Sequence, residues 1–253
     1  MAPHHVTVVR WTDHAERPRV SGPPPGTRNR RDRTALHHKA EWAMSDKNKT
    51  VARALLDQQG TTFAAEAGIK LRDTPGPLYQ LLVLAHLLSA RISSDIAVAA
   101  ARALFDAGMR DPRRMAEATW QQRVDALGEG GYRRYDERTS SQLGEAAELV
   151  NREYGGDLRR LREAGDVKKL LQGIKGIGPA GVNIFLREVQ GVWPEFAPYF
   201  DSKALDGAER VGLPKSARSL EGLVAAKDLP RLAAALVRVA LHADAAREVR
   251  AAA

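Results

Sequence analysis

The sequence has no cysteine among its 253 residues. Without thiols the chain cannot form disulfides, use a thiolate nucleophile, or hold zinc or an iron–sulfur cluster through cysteine. No apolar run approaches the roughly 20 residues that span a bilayer. The N-terminus also lacks the continuous apolar segment of a secretory signal. These absences predict a soluble, cytoplasmic protein.

Positive charge is in excess, because the chain contains 39 Lys and Arg residues but only 31 Asp and Glu residues, and the isoelectric point is near 9.9. An anionic partner, nucleic acid above all, is therefore the first class to consider. Residues 1–43 carry eight basic and four acidic side chains, a net +4 that is half of the total. The rest of the chain is only mildly basic, so the position of its charges matters more than their number.

Residues 1–43 have few apolar side chains, no periodicity, and repeated Pro, Gly and Arg, as in SGPPPGTRNRRDR. Such a composition cannot offset its ordering entropy, which predicts a disordered basic tail. A capped helical pattern opens at Met44, so Met44 is an alternative translation start. The two His pairs of the tail are not expected to bind a metal, and we predict no metal site.

From Met44 onward the apolar residues recur with helical spacing. The stretch PLYQLLVLAHLLSAR, residues 77–91, is apolar on nearly all sides and predicts a central core helix. The segment 228–251 is Ala-rich and predicts one long final helix. No stretch alternates with period two between turn signals. The sequence therefore predicts an all-α fold.

The segment LLQGIKGIGPAGVNIFL contains a glycine motif, because Gly176, Gly178 and Gly181 form the pattern G-x-G-x-x-G. Asp201 follows the last of these glycines by 20 residues. That spacing is typical of dinucleotide binding, which needs a buried strand before the first glycine and another before the acid. The preceding AGDVKKLLQGIK is charged and helical in pattern. Prolines interrupt VWPEFAPYF before Asp201. The nucleotide hypothesis fails on both strands.

A helix, a short glycine hairpin and a second helix from Pro179 to Val189 fit the same residues better. Proline at the first helical position favours helix entry. Glycine allows a sharp turn and close approach of another molecule. The exposed amides of a helix N-terminus bind anions, and in a basic all-α protein the expected anion is a DNA phosphate.

At this point the sequence resembles a family, the helix-hairpin-helix (HhH-GPD) base-excision DNA glycosylases of the endonuclease III superfamily. Their hairpin and second helix read L-P-G-V-G-R-K-T-A-N-V-V-L, and IKGIGPAGVNIFL keeps both hairpin glycines and Asn183. FDSKALDGAERVGL then places Asp201 on the family's aspartate and matches its R-x-G-L. LLSAR and GGYRR resemble two further family segments. The resemblance covers about residues 75–215.

The resemblance implies a two-lobed helical body. One lobe would combine residues 44–74 with 196–253. The other would be a six-helix domain over residues 75–195, with the helix-hairpin-helix motif at 166–189. Asp201 is expected at the mouth between them.

Several departures from the family pattern bear on the chemistry. Ala180 stands where bifunctional members carry a nucleophilic lysine, so a monofunctional enzyme is expected. Pro179 replaces a basic residue and Lys203 replaces a histidine, and the loop from Gly191 to Asp201 is three residues longer. Without cysteines the cluster found in many members cannot form.

The resemblance assigns roles to particular residues. Asp201 is the predicted catalytic carboxylate, which stabilises positive charge on the sugar and activates water; its alternative is a simple helix cap. Lys175 and Lys203 are predicted DNA contacts or, alternatively, substitutes for the missing lysine. Predicted hairpin contacts to DNA are Gly176, Ile177 and Gly178.

Further candidates come from the segments around these positions. Arg91 is expected to fill the gap left by a flipped base, or else to form a surface ion pair. Base-pocket candidates are Tyr132, Tyr199 and Phe200, although aromatic residues in such a loop also serve as core plugs.

Taken together, the residues and the resemblance predict a DNA glycosylase acting on damaged or mispaired bases in double-stranded DNA. No cofactor is expected apart from a monovalent cation at the hairpin when DNA is bound. A monomer associated with the nucleoid is expected. The alternative is a DNA-binding protein that keeps the hairpin and has lost base excision.

Overall fold

The structure is a computed structural model that describes residues 46–253. The predicted tail and the alternative start at Met44 lie outside the described residues. All regular structure within 46–253 is helical, which confirms the predicted all-α class. The first helix, α1, covers residues 46–59. The others are α2 (Phe63–Glu66), α3 (Pro75–Leu88), α4 (Ser94–Asp106), α5 (Pro112–Glu117), α6 (Trp120–Glu129), α7 (Asp136–Tyr154), α8 (Leu158–Glu163), α9 (Val167–Gln172), α10 (Pro179–Val189), α11 (Ser202–Arg210), α12 (Ala217–Glu221), α13 (Leu229–Leu241) and α14 (Ala243–Ala252), with short 3₁₀ turns at Pro194–Phe196 and Ala226–Asp228.

Helix α3 is the central helix, as its apolar sequence predicts. Its residues from Leu81 to Leu87 are buried without interruption, because the helix packs against α4 on one side and α10 on another. A helix apolar all round is stable only inside a protein. The hydrophobic core therefore forms around α3.

Helix starts follow local capping chemistry. The side chains of Ser93, Asp111, Thr119 and Asp157 each accept a hydrogen bond from a backbone amide of the first helical turn. Thr119 forms a full capping box with Gln122. Such caps satisfy amides that have no partner inside the helix, and each contributes about 1 kcal/mol.

Two boundaries differ from a continuous helical pattern. DPRRMAEATWQQRVDALG forms two helices, because Ala118 is extended and Thr119 caps the start of α6 at Trp120. The final helix is also interrupted: α13 ends at Leu241, His242 is extended, and α14 begins at Ala243. The prediction of one long final helix is wrong, since Ala-rich composition favours helix on both sides of the break without revealing it.

The segment predicted as a helix-hairpin-helix contains two helices joined by a short turn. Asp166 caps α9, the hairpin covers residues 173–178, and α10 spans Pro179–Val189. Gly176 has φ of 84°, in the left-handed region that favours glycine. Gly178 has φ of −90° and ψ of −173°, an extended conformation open to any residue. A conformational need for glycine therefore exists at Gly176 alone of these two.

Chain segments from both ends of the described region contact each other. Arg238 of α13 donates to the carbonyl oxygens of Gln59 and Thr61 and pairs with Glu66. Gly207 allows α11 to pack tightly on α13, because a Cβ there would lie 1.9 Å from the Leu236 carbonyl oxygen. The division of the chain into two lobes stays a prediction.

Glu188 joins α10 to the N-terminal segment. Its buried carboxylate accepts hydrogen bonds from the amides of Phe63 at 3.0 Å and Ala64 at 3.3 Å, at the start of α2. Burial raises the pKa of Glu188, although these two hydrogen bonds oppose the rise. The contact fixes the α1–α2 segment against the helix that follows the hairpin. Separately, no helix in residues 46–253 has the length and apolarity to cross a membrane.

Candidate functional site

Helix α10 links the hairpin to a cleft. Ala180, Asn183, Ile184 and Arg187 are spaced so that they share one face of the helix. All four line a cleft of about 320 Å³ together with Asp201. We call it the Asp201 cleft. The same helix thus starts at the hairpin and forms one wall of the cleft.

The other walls come from distant parts of the chain. Apolar side chains of α2, α3, α13 and the loop after α3 contribute, namely Phe63, Leu88, Ile92, Val237 and Leu241. Leu241 is 54% exposed, unusual for a large apolar residue in this chain, and lies where α13 ends. The cleft is within the size range of ligand sites and combines an apolar side with a few polar groups.

Asp201 is held by two contacts inside this cleft. Its Oδ1 accepts a hydrogen bond from the Ala204 amide at 3.2 Å, which caps α11. Its Oδ2 lies 2.6 Å from Nη1 of Arg187, and each of these two side chains is only 8% exposed. The cap that was the alternative interpretation is therefore present, and the same carboxylate also faces the cleft.

Arg187 is the main site residue that the sequence prediction missed. It is buried in a mostly apolar part of α10 beside Glu188, and its guanidinium pairs with a carboxylate 14 positions later. The two adjacent charged residues at the end of the run NIFLREV were the available signal, since buried charges need partners. The partner itself could not be identified from spacing.

The two loop aromatics have different surroundings. Tyr199 donates from its hydroxyl to Oδ1 of Asn183 at 2.7 Å, so it is tied to a residue of the cleft wall. Burial and, second, the charge of Asp201 raise the pKa of Tyr199. Phe200 packs in the hydrophobic core and is not among the cleft-lining residues. Trp193 is fully buried in the hydrophobic core.

Lysines lie at both ends of this region. Lys203 is exposed and lines the Asp201 cleft, as does the small side chain of Ala180. Lys175 lies on the hairpin, where its Nζ is 3.6 Å from a carboxylate oxygen of Glu145. Of the two lysines, Lys203 is therefore the one in the same cleft as Asp201.

The hairpin presents unbonded backbone amides. Ile177 is buried and its amide donates to the Ile174 carbonyl at 3.0 Å. Among residues 46–253, the amides of Gly176 and Gly178 donate to no protein acceptor. Gly178 is exposed, and a Cβ built on it would meet nothing within 4 Å. The predicted hairpin contacts thus divide into buried Ile177 and two glycines with available amides.

Arg91 and Tyr132 lie away from Asp201, around a second cavity that includes Gly176 of the hairpin. Tyr132 is 1% exposed, and its hydroxyl is 3.5 Å from Oγ1 of Thr139. Arg91 is exposed. The structure therefore does not bring Tyr132 to the cleft that contains Asp201; the predicted base-pocket residues lie in three different surroundings.

Comparison with solved structures gives one similarity that bears on the fold. A solved structure described as a trapped endonuclease III–DNA covalent intermediate, in an estranged-adenine complex, superposes with a TM-score of 0.42 and 16% sequence identity. The match covers 62% of this chain and 70% of that chain. No protein-family model matches the sequence, and no curated protein matches it. What this chain does therefore has to be inferred from its own residues.

Proposed function

We propose that this protein is a monofunctional DNA glycosylase, which binds double-stranded DNA at the hairpin and hydrolyses an N-glycosidic bond in the Asp201 cleft. One observation carries the proposal: α10 begins at a hairpin with available amides, and one face of it lines the cleft that holds Asp201. A phosphate at the hairpin would place a DNA strand beside a carboxylate. That juxtaposition is what base excision requires.

DNA binding is supported by the chemistry of the hairpin. The amides of Gly176 and Gly178 and the N-terminus of α10 offer donors to a phosphate oxygen. The carbonyl oxygens of Lys175, Gly176 and Ile177 accept no hydrogen bond within residues 46–253, so they suit a monovalent cation, whose charge would add to the attraction for a phosphate. Backbone contacts of this kind hold DNA regardless of base sequence.

Base release is supported by the position of the carboxylate. Cleavage of an N-glycosidic bond develops positive charge on the sugar, which a carboxylate stabilises until water adds to the sugar. The pairing with Arg187 and the hydrogen bond from Ala204 hold the Asp201 carboxylate in one orientation. Ala180 has no amine to attack the sugar, so we propose hydrolysis without strand cleavage.

The Asp201–Arg187 pair also favours a second candidate function. A guanidinium 2.6 Å from the carboxylate offsets part of the negative charge that a sugar cation would experience. If the pair serves only to stabilise the fold, the protein binds DNA and catalyses no base release, which is the second candidate function. The two candidates share the hairpin and differ only in the cleft.

A base-release assay separates them. Duplexes carrying uracil, an oxidised base, an alkylated base or a mismatch are incubated with the protein, then treated with alkali or with borohydride. The glycosylase proposal predicts release from at least one duplex, strand breakage only after alkali, and no covalent adduct. Binding without release from any duplex would favour the second candidate, while efficient borohydride trapping would assign an amine, with Lys203 tested first.

A further inference from the structure

The cavity that adjoins the hairpin has no part in the chemistry described above. It measures about 440 Å³ and lies between the end of α3, the loop before α7, the first turns of α7, and Gly176. Its lining includes Arg91 and Arg138, together with His86, Tyr135 and Gln142. We call it the Arg138 cavity. Its size is that of sites for small organic ligands.

The charge of this cavity is positive and uncompensated within its walls. Arg91 and Arg138 line it, and no aspartate or glutamate does. None of the ion pairs formed among residues 46–253 includes either arginine. Guanidinium groups bind phosphate through two parallel hydrogen bonds. A cation is a poor occupant of such a cavity and a phosphate is a good one.

His86 lines the cavity with a buried, uncharged imidazole ring. The ring is 5% exposed, and Nε2 lies 3.2 Å from Oε1 of Gln142. Burial chiefly lowers the pKa of His86, and the positive charge of Arg138 lowers it further, against the hydrogen bond to Gln142. The charge offered to a ligand at neutral pH therefore comes from the two arginines.

The cavity and the hairpin share Gly176. A Cβ built on this glycine would lie 2.3 Å from Cε1 of His86, so the hairpin backbone rests directly on the imidazole ring. The available Gly176 amide and the cavity thus belong to one continuous surface. Tyr135, half-buried at the same cavity, adds an aromatic ring that carries the Arg134 guanidinium 5.2 Å from its centroid, so a further cation lies next to the cavity.

From these observations we infer that the Arg138 cavity binds a nucleotide unit of the DNA, with its phosphate at Arg91 and Arg138. This inference rests on the proposed DNA binding and adds a second phosphate site to it. The phosphate has two sources, an internal phosphodiester or the terminal phosphate at a strand break. Both have the same chemistry toward arginine, so the experiment has to separate them.

The test uses Arg138→Gln with Arg102→Gln as its matched control. Both arginines are exposed on helices, and Arg102 lines neither the Arg138 cavity nor the Asp201 cleft. Affinity is measured by fluorescence anisotropy over a salt series for three duplexes: intact, gapped with a 5′-phosphate, and gapped with a 5′-hydroxyl. Circular dichroism confirms that both variants are folded.

We expect Arg138→Gln to weaken binding roughly tenfold, as for loss of a charged hydrogen bond, and to reduce the salt slope by about one. Arg102→Gln should bind like the wild type. A loss on all three duplexes assigns an internal phosphodiester, and a loss confined to the 5′-phosphate duplex assigns a terminal phosphate. Arg138→Lys should keep the salt slope and recover only part of the affinity.

Equal binding by Arg138→Gln and Arg102→Gln on every duplex would overturn this inference and leave the glycosylase proposal untouched. Conversely, a protein that releases no base yet loses affinity through Arg138→Gln would retain this site while the proposed catalysis fails. A wild-type protein that binds none of the duplexes would overturn both.

Discussion

Gly176 and Gly178 look alike in sequence, but substitution by alanine should cost much more stability at Gly176 than at Gly178. An alanine at Gly176 has to adopt φ near 84°, and its Cβ has to displace a buried imidazole ring only 2.3 Å away. At Gly178 the backbone is extended and the space around a Cβ is empty. The fold therefore needs glycine at the first position and tolerates alanine at the second.

The magnitudes follow from these contacts. The left-handed conformation costs an alanine about 1–2 kcal/mol, and loss of the hydrogen bond between His86 and Gln142 adds about 1 kcal/mol. Gly176→Ala should thus lower the free energy of unfolding by roughly 2–3 kcal/mol, or the melting temperature by roughly 4–12 °C in a chain of this size. Gly178→Ala should cost about 1 kcal/mol at most, through a poorer N-cap.

Thermal and urea unfolding followed by circular dichroism measure these differences, and anisotropy with duplex DNA measures binding. Because Gly178 is exposed beside an available amide, Gly178→Ala should weaken DNA binding while the protein stays folded. Equal stability losses in the two variants would refute the packing account of Gly176. Unchanged DNA affinity in a folded Gly178→Ala, and in the bulkier Gly178→Val, would refute the hairpin as a phosphate site.

Three further variants test other parts of the account. Burial raises the pKa of Glu188 above its ordinary 4.5, so the contribution of Glu188 to stability is greatest below pH 4.5 and falls as the pH rises through the raised pKa. In urea unfolding over a pH series, the free energy of unfolding of Glu188→Gln should therefore increase relative to that of the wild type as the pH rises. Gly207→Ala should lose roughly 1–3 kcal/mol by overpacking α11 against α13, whereas Gly128→Ala, where a Cβ meets nothing within 4 Å, should keep full stability in the same unfolding assay. Ala180→Lys places an amine in the Asp201 cleft, and borohydride should then trap an adduct with abasic DNA that the wild type does not form.

How far the sequence predicts this molecule depends on how local each signal is. Helix α10 was predicted with correct bounds because Pro179 and the glycines around it act on their own backbone. The break at His242 was missed, since alanines favour helix on both sides of it. Gly178 shows a further limit, because sequence alone does not distinguish a glycine needed for a turn from one that keeps space open.

The candidate site was predicted only in part, because local signals are readable in the sequence whereas contacts between distant helices are not. Asp201 was identified through the family resemblance, and the structure places it in a cleft with Ala180 and Lys203. Its ion pair with Arg187 and the contribution of Leu241 depend on how separate helices pack, which no spacing in the chain reveals. Tyr132 was a base-pocket candidate through the resemblance of GGYRR to a family segment, and the structure places it at the Arg138 cavity and not at the Asp201 cleft.

The measurement that tests the central claim most directly is base release by Asp201→Asn. The asparagine amide has a single acceptor oxygen, which can keep the hydrogen bond from the Ala204 amide or the one from Arg187 but not both, and it has no charge to stabilise a sugar cation. Asp206→Asn is the matched control, an exposed acid on the same helix that pairs with Lys215. With folding verified for both, the account predicts that Asp201→Asn releases no base while binding an abasic-site analogue as the wild type does, and that Asp206→Asn keeps full activity. Full base release by Asp201→Asn would contradict it.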